Sequence, residues 1–212
     1  MRTEDLIATL SQDLKPTPSV GQKLLRPAIA GSLIALVLVA YWLGFRPDIL
    51  RAWAAPMFWV KAAYTGLIAL AGFGCTRILA RPIGEPWKGF VAALAIFGVV
   101  ALGGTIQLAM TSTFDRRALL MGGSWHVCSQ NIVILGGPIL ALTLLALRTL
   151  APTKLRATGA AAGLFAGGLA ATVYGLHCPE HALAFVAVWY SLGMAVLTAA
   201  DALLGPWALR WR

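Results

Sequence analysis

Charge is scarce in this chain. Of 212 residues only 8 are acidic and 17 basic, or 12% in all, where a soluble domain keeps roughly 25%. The scarcity is uneven. No charge falls between Arg26 and Arg46, Lys88 and Asp115, Arg156 and Glu180, or Glu180 and Asp201. A helix needs about 20 apolar residues to cross a hydrocarbon core roughly 30 Å thick, and each gap is long enough. An ordinary soluble domain is thereby excluded. A secretory leader is also missing: Met1-Arg2-Thr3-Glu4-Asp5 puts acids where a basic n-region belongs, and the apolar run starts only after Pro27. The expectation is insertion rather than secretion. No Lys/Arg run interleaved with aromatics occurs, so the net charge of +9 does not point to direct nucleic-acid binding. It fits basic residues that flank spans and meet anionic lipid headgroups.

Catalytic patterns are missing too. There is no phosphate loop, no catalytic carboxylate pair and no metalloprotease helix motif. Ser124 and Ser129 lie near His126, but no acid stands at a suggestive position. The chain is not expected to be an enzyme, and no catalytic residue or obligatory cofactor is assigned. Ion-coupled transporters carry ionisable groups deep in their spans. Here the one acid inside an expected span is Asp201, almost at the end of the last.

What is present predicts an all-α membrane protein, a bundle of about six transmembrane helices. The spans are expected near 27–45, 58–80, 88–110, 131–147, 157–176 and 182–204. The second is the weakest, since Lys61 and Arg77 bound it and would both have to snorkel. Trp53, Trp59, Trp87, Trp125, Trp207 and Trp211 sit at span ends, as an aromatic belt requires. An even number of spans puts both termini on one side. That side would hold Arg2, Lys15, Lys23, Arg26, Arg77, Arg81, Lys88, Arg148, Lys154, Arg156, Arg210 and Arg212. The other would hold only Arg46, Arg51, Lys61, Arg116 and Arg117. The bias assigns both termini to the cytoplasm of a bacterial inner membrane. The loops near 46–57, 111–130 and 177–181 then face outward. The chain divides into a cytoplasmic arm (1–26), a membrane domain (27–204) and a cytoplasmic tail (205–212).

Within the arm, Thr3 can cap a short helix, with Glu4 and Asp5 favourable in its first turn. Leu6, Ile7, Leu10 and Leu14 then share a face, and Pro16 ends the pattern. So short a helix is marginal alone, and either the membrane surface or a groove on a soluble partner could cover its apolar stripe. Its polar face carries Glu4, Asp5 and Asp13, which an anionic leaflet repels and a basic protein attracts. In the fifth span Gly159, Gly163, Gly167, Ala171 and Gly175 recur every fourth position and make a smooth packing face. Gly136-Gly137-Pro138 is expected to kink the fourth.

All three histidines neighbour two of the three cysteines. Cys128 follows Trp125-His126-Val127, and Cys178 lies in His177-Cys178-Pro179-Glu180-His181. Thiolate and imidazole suit a soft metal ion, so His126, Cys128, His177, Cys178 and His181 are candidate ligands. An imidazolium would also make a thiol more reactive. Cys128 and Cys178 could act in redox or metal sensing, close a structural disulfide, or simply shape a turn. Cys75, near the other end of the second span, reads as a small buried hydrophobe.

Nearly end to end, the chain resembles the NrsF type of membrane anti-sigma factor. The shared segments are Thr3-Glu4-Asp5-Leu6-Ile7 with Leu10, Asp13-Leu14 and Pro16, then Arg46-Pro47-Asp48, Ser124-Trp125 to Cys128, and Leu204-Gly205-Pro206 with Arg210-Trp211. The most specific is His177-Cys178-Pro179-Glu180 followed by Phe185 and Trp189-Tyr190. Cys75 and His126 are not part of that pattern. The resemblance implies a six-span inner-membrane protein whose cytoplasmic arm, through Asp5, Leu6, Ile7, Leu10, Asp13 and Leu14, sequesters an extracytoplasmic-function sigma factor. It also implies that Cys128 and Cys178 sense a metal or oxidative signal. The alternative reading is a small membrane transporter for a metal or thiol compound. A membrane thiol oxidoreductase would need a second, exchanging cysteine pair.

Overall fold

The computed structural model describes residues 2–5 and 18–210. Among these residues all regular structure is helical. In chain order the elements are α1 (Val20–Leu43), α2 (Ile49–Ala52), α3 (Pro56–Leu79), α4 (Trp87–Met110), α5 (Arg116–Met121), α6 (Trp125–Leu147), α7 (Leu155–Tyr174) and α8 (Leu183–Ala208). Six of them, α1, α3, α4, α6, α7 and α8, are long and apolar enough to cross a membrane. This is the six-helix, all-α bundle expected from the charge-free runs. Residues 3–5 are helical, and Asp5 is exposed. Leu6, Ile7, Leu10, Asp13 and Leu14 lie outside the described residues.

Helix boundaries follow local chemistry. The Ser19 hydroxyl accepts the Gln22 N–H at 3.3 Å, and the Gln22 carboxamide accepts the Ser19 N–H at 3.0 Å. This reciprocal cap fixes the start of α1 at Val20, ahead of residue 27, and Pro27 lies inside the helix. A five-residue π-turn, Val39–Leu43, ends α1, and Gly44 at φ +78° turns the chain away. Pro56 opens α3, where its missing N–H costs nothing. The helix α6 starts at Trp125, earlier than residue 131, so Cys128 stands in its first turn rather than in a loop. It runs unbroken through Pro138.

α7 is the hub. It is the most buried of the six and packs against α8, α3 and α6. Small residues permit this. A methyl group added at Gly163 would stand 2.5 Å from the Leu197 carbonyl oxygen of α8, and one at Gly159 would collide with the Asp201 carbonyl. Gly167 lies against Met194 of α8. The partner of this face is therefore in the same chain. Gly175 does not join it, since it caps the end of α7 and its neighbours there are α7 carbonyls. On the opposite flank Gly72 of α3 abuts the backbone of Phe165. α4 is the least buried helix, touching α3 near one end and the start of α8 near the other. Between α3, α4, α7 and α8 it leaves an apolar groove of about 760 Å³ lined by residues such as Phe90, Phe97, Leu164 and Leu192.

The outer surface is apolar where lipid would lie, with Leu33, Leu70, Val99 and Leu203 exposed. One end of the bundle gathers Ser19, the 80–86 and 148–154 connections and the carboxyl end. There Arg148 Nε donates to the Ala208 carbonyl at 2.6 Å and the Thr153 hydroxyl to the Pro82 carbonyl at 3.0 Å. The other end gathers residues 44–55, 111–124 and 175–182.

Candidate functional site

The densest polar chemistry of the described residues lies at that second end, under the connection between α7 and α8. The helix α7 unwinds after Tyr174 through bonds from the His177 and Cys178 N–H groups to the Tyr174 carbonyl. Pro179 has no N–H to extend the helix. The resulting loop, 175–182, lies across the end of α1 and the openings of α3 and α6, and each of them holds it.

From α1, the Gly44 carbonyl meets His177 Nδ1 at 2.8 Å, and the Arg46 N–H donates to the Leu176 carbonyl at 3.3 Å. The buried Arg46 guanidinium forks onto both Asp48 carboxylate oxygens at 2.7 Å. That fork holds the Asp48 carboxyl at about 2, below its ordinary 3.8. A third arm of Arg46 reaches the Cys178 carbonyl at 3.5 Å, and Nη2 lies 3.3 Å from His181 Nε2. From α6, the Gly123 N–H and the Ser124 hydroxyl donate to the Glu180 carboxylate at 2.8 and 3.2 Å. An anion at the opening of a helix suits the positive end of its dipole. Gly122 is required here twice over. Its φ is +53°, and a methyl group would stand 2.5 Å from a Glu180 carboxylate oxygen.

From α3 comes Lys61. A snorkelling lysine would reach outward. Lys61 instead turns inward, is 2% exposed, and donates to the carbonyls of Cys178 at 3.0 Å and Glu180 at 2.8 Å. Its ammonium also lies 5.9 Å from the centre of the Tyr190 ring. Arg77, at the other end of α3, is exposed and free to snorkel. No carboxylate forms an ion pair with Lys61 among the described residues.

Beneath the loop, Cys128 and Cys178 meet. Both are fully buried free thiols. The Cys128 thiol interacts with the Cys178 sulfur, on which the Glu180 backbone, the Tyr190 hydroxyl and the Lys61 charge also act. Together these hold the Cys178 thiol below the ordinary thiol range, with the Cys128 contact the largest cause and burial opposing it. Tyr174 lies beside Cys128 and Asn131. The hydroxyls of Tyr174 and Tyr190 are buried and close no hydrogen bond of their own.

The histidines do not complete a metal centre. His126 is exposed and stands edge-on to Trp125. His177 is taken by Gly44 and His181 by Arg46. Among the described residues no three His, Cys, Asp or Glu side chains converge on a metal-sized position. The expected five-residue ligand set thus resolves into a sulfur pair with the imidazoles turned elsewhere. The Ser124 hydroxyl engages Glu180 and that of Ser129 the Trp189 carbonyl at 2.8 Å, so neither is paired with His126 as a nucleophile would be. Cys75 is buried at the other end, its thiol facing the Pro86 carbonyl at 3.5 Å.

Lys61 and Tyr190 are the members of this site that sequence reasoning missed. A lysine four residues inside a span bounded by aromatics is a signal in itself, because a buried lysine requires partners.

The family model described as "Negative regulator of sigma F", NrsF, matches residues 10–211. "Anti-sigma-F factor NrsF" of Caulobacter vibrioides (strain NA1000 / CB15N) is 47% identical, with 100% of each chain covered. "Probable anti-sigma-F factor NrsF" of Azospira oryzae (strain ATCC BAA-33 / DSM 13638 / PS) is 36% identical, again over 100% of both chains. No solved structure matches.

Proposed function

Because this chain belongs to the NrsF family, we propose that it is a membrane-held anti-sigma factor whose buried thiol pair reports an oxidative signal to a sigma factor on the opposite side. The role is regulatory rather than enzymatic. The partner is an extracytoplasmic-function sigma factor, held by the arm around Asp5, Leu6, Ile7, Leu10, Asp13 and Leu14. Both termini lie in the cytoplasm of the inner membrane, and the 175–182 loop faces the periplasm.

The observation that supports this reading best is the meeting of Cys128 and Cys178, fifty positions apart in sequence, under a loop tied to α1, α3 and α6. A thiol pair alters its charge and bonding on oxidation, and here any such alteration bears on α1, α3 and α6 and on the two helices that the loop joins. The signal acts only if sigma binds the two arrangements with different affinity. A hundredfold loss of affinity requires about 2.7 kcal/mol, within the reach of one altered buried pair. Oxidation is favoured over metal binding because no His, Asp or Glu among the described residues joins the sulfur pair as a third ligand. The transporter alternative lacks a polar path, since the large groove beside α4 is lined mainly by apolar side chains.

The test is co-purification from detergent-solubilised membranes. The full chain should carry a sigma factor, and a chain lacking residues 1–16 should not. Retention by the truncated chain would contradict the arm as the binding element. Replacing Cys128 and Cys178 with Ser should abolish the transcriptional response to oxidant, and an unaltered response would remove the thiols as the sensor.

A further inference from the structure

The two sulfurs stand in unequal surroundings. Cys178 is acted on by the Cys128 thiol, the Glu180 backbone, the Tyr190 hydroxyl and the Lys61 charge, and the Lys61 ammonium bonds the Cys178 carbonyl at 3.0 Å. Cys128 has Tyr174 and the other sulfur beside it, and it feels the Lys61 charge less than Cys178 does. Lys61 is a buried cation whose hydrogen bonds go to carbonyls, with no carboxylate among the described residues paired to it. Tyr190 is a fully buried phenol with no closed hydrogen bond. The nearest acid, Glu180, spends its carboxylate on Gly123 and Ser124, and Arg46 is neutralised by Asp48. A cation and a donor buried without an acceptor of matching charge are costly. Of the two thiols, both groups act more strongly on Cys178, whose own carbonyl takes a Lys61 hydrogen bond at 3.0 Å.

We propose that Cys178 is the attacking thiolate of the pair, stabilised by Lys61 and Tyr190, and that Cys128 is the thiol that resolves it. The inference rests on the reading of the pair as an oxidant sensor and assigns its order of events. A hydroperoxide is the class of oxidant that fits. The Cys178 thiolate attacks the near oxygen of the O–O bond. That bond breaks, Cys178 becomes a sulfenic acid, and the departing hydroxide or alkoxide takes a proton from solvent. The Cys128 sulfur then displaces the sulfenic oxygen, the S–S bond forms, and the oxygen leaves as water with the Cys128 proton. The sulfurs together lose two electrons to the peroxide. The negative charge at Cys178 leaves with the hydroxide or alkoxide in the first step, the disulfide formed in the second keeps it from returning, and Lys61 is left buried with carbonyls alone. That uncompensated cation is the force that loosens α3 from the 175–182 loop. Lys61 and Tyr190 are positioning residues in this scheme, acting through the sulfur.

The experiment uses the full chain, purified, reduced and reconstituted in nanodiscs, in a Cys75→Ala background. Hydrogen peroxide is added with dimedone, which traps sulfenic acids, and the adduct is located by mass spectrometry. In Cys128→Ser the adduct is expected on Cys178, and in Cys178→Ser none is expected on Cys128. Iodoacetamide alkylation of Cys178 at pH 7 should slow about tenfold or more in Lys61→Met, because rate follows the thiolate fraction. It should stay within about twofold in Lys61→Arg and slow severalfold in Tyr190→Phe. A first adduct on Cys128, or unchanged alkylation in Tyr190→Phe together with Lys61→Met, would overturn the assignment. If Lys61→Met fails to fold, Tyr190→Phe decides alone, since it removes only an oxygen. These readouts need no sigma factor. They stand or fall separately from the sensing role, which is read by sigma release.

Discussion

The carboxylate of Glu180 accepts the backbone N–H of Gly123 at 2.8 Å. This one contact joins the α7–α8 loop to the opening of α6 and lies over the sulfur pair. It is charge-assisted and part-exposed, so its loss should cost about 1–2 kcal/mol. Glu180→Ala should therefore speed amide exchange across residues 176–182 and raise maleimide labelling of Cys178 by about tenfold. Gly122→Ala should do the same, since its φ is +53° and a methyl group would meet the Glu180 carboxylate. Equal protection in wild type and both variants would show that the loop is held elsewhere.

The Arg46–Asp48 fork gives the loop a pH limit. The Asp48 carboxyl is depressed from 3.8 to about 2 by the guanidinium. A group depressed on folding contributes stability above its ordinary value and loses it as pH falls through the folded one. Loop protection should thus be flat at neutral pH and fall between about pH 4 and 2. In Asp48→Asn that acid-dependent step should vanish. A step of the same size in the variant would assign it to another acid.

Much of this was legible in the sequence, and the failures share a cause. Long apolar runs poor in charge predict six helices because lipid demands internally bonded apolar segments. The start of α1 was misplaced because a polar turn, Ser19 to Gln22, caps a helix before its apolar run begins. Gly175 carries the spacing of the packing face but terminates its helix. Lys61 could not be told from a snorkelling lysine, because the carbonyls that draw it inward arrive from residues 178 and 180. The meeting of Cys128 with Cys178 has the same character. Long-range docking decides which side a side chain faces, and local pattern does not encode it.

Packing along α7 can be graded. Added methyl groups at Gly159 and Gly163 would meet α8 backbone, at Gly167 they would stand 3.2 Å from the Met194 Cα, and at Gly66 and Gly98 they would meet nothing. Thermal unfolding in detergent should rank the alanine variants in that order. Overpacking should cost about 1–3 kcal/mol at Gly159 and Gly163 and little at Gly66 or Gly98. A large loss at Gly98 with none at Gly163 would invert the packing described here.

Asp201 supplies the last prediction. Its side chain is fully buried in α8, next to the α7 crossing at Gly159, and among the described residues neither carboxylate oxygen has a hydrogen-bond partner. A buried charge without a partner opposes folding, and a neutral isostere relieves it. Asp201→Asn should leave the unfolding temperature unchanged or raise it. A carboxylate kept against its own cost needs a use, and the α7–α8 crossing is one of the contacts that join the Cys178 end of the bundle to the end where the chain begins. Sigma binding by Asp201→Asn, compared before and after oxidation, should therefore differ less than in wild type. A stabilised variant with an undiminished oxidant response would show that the acid has no part in transmission.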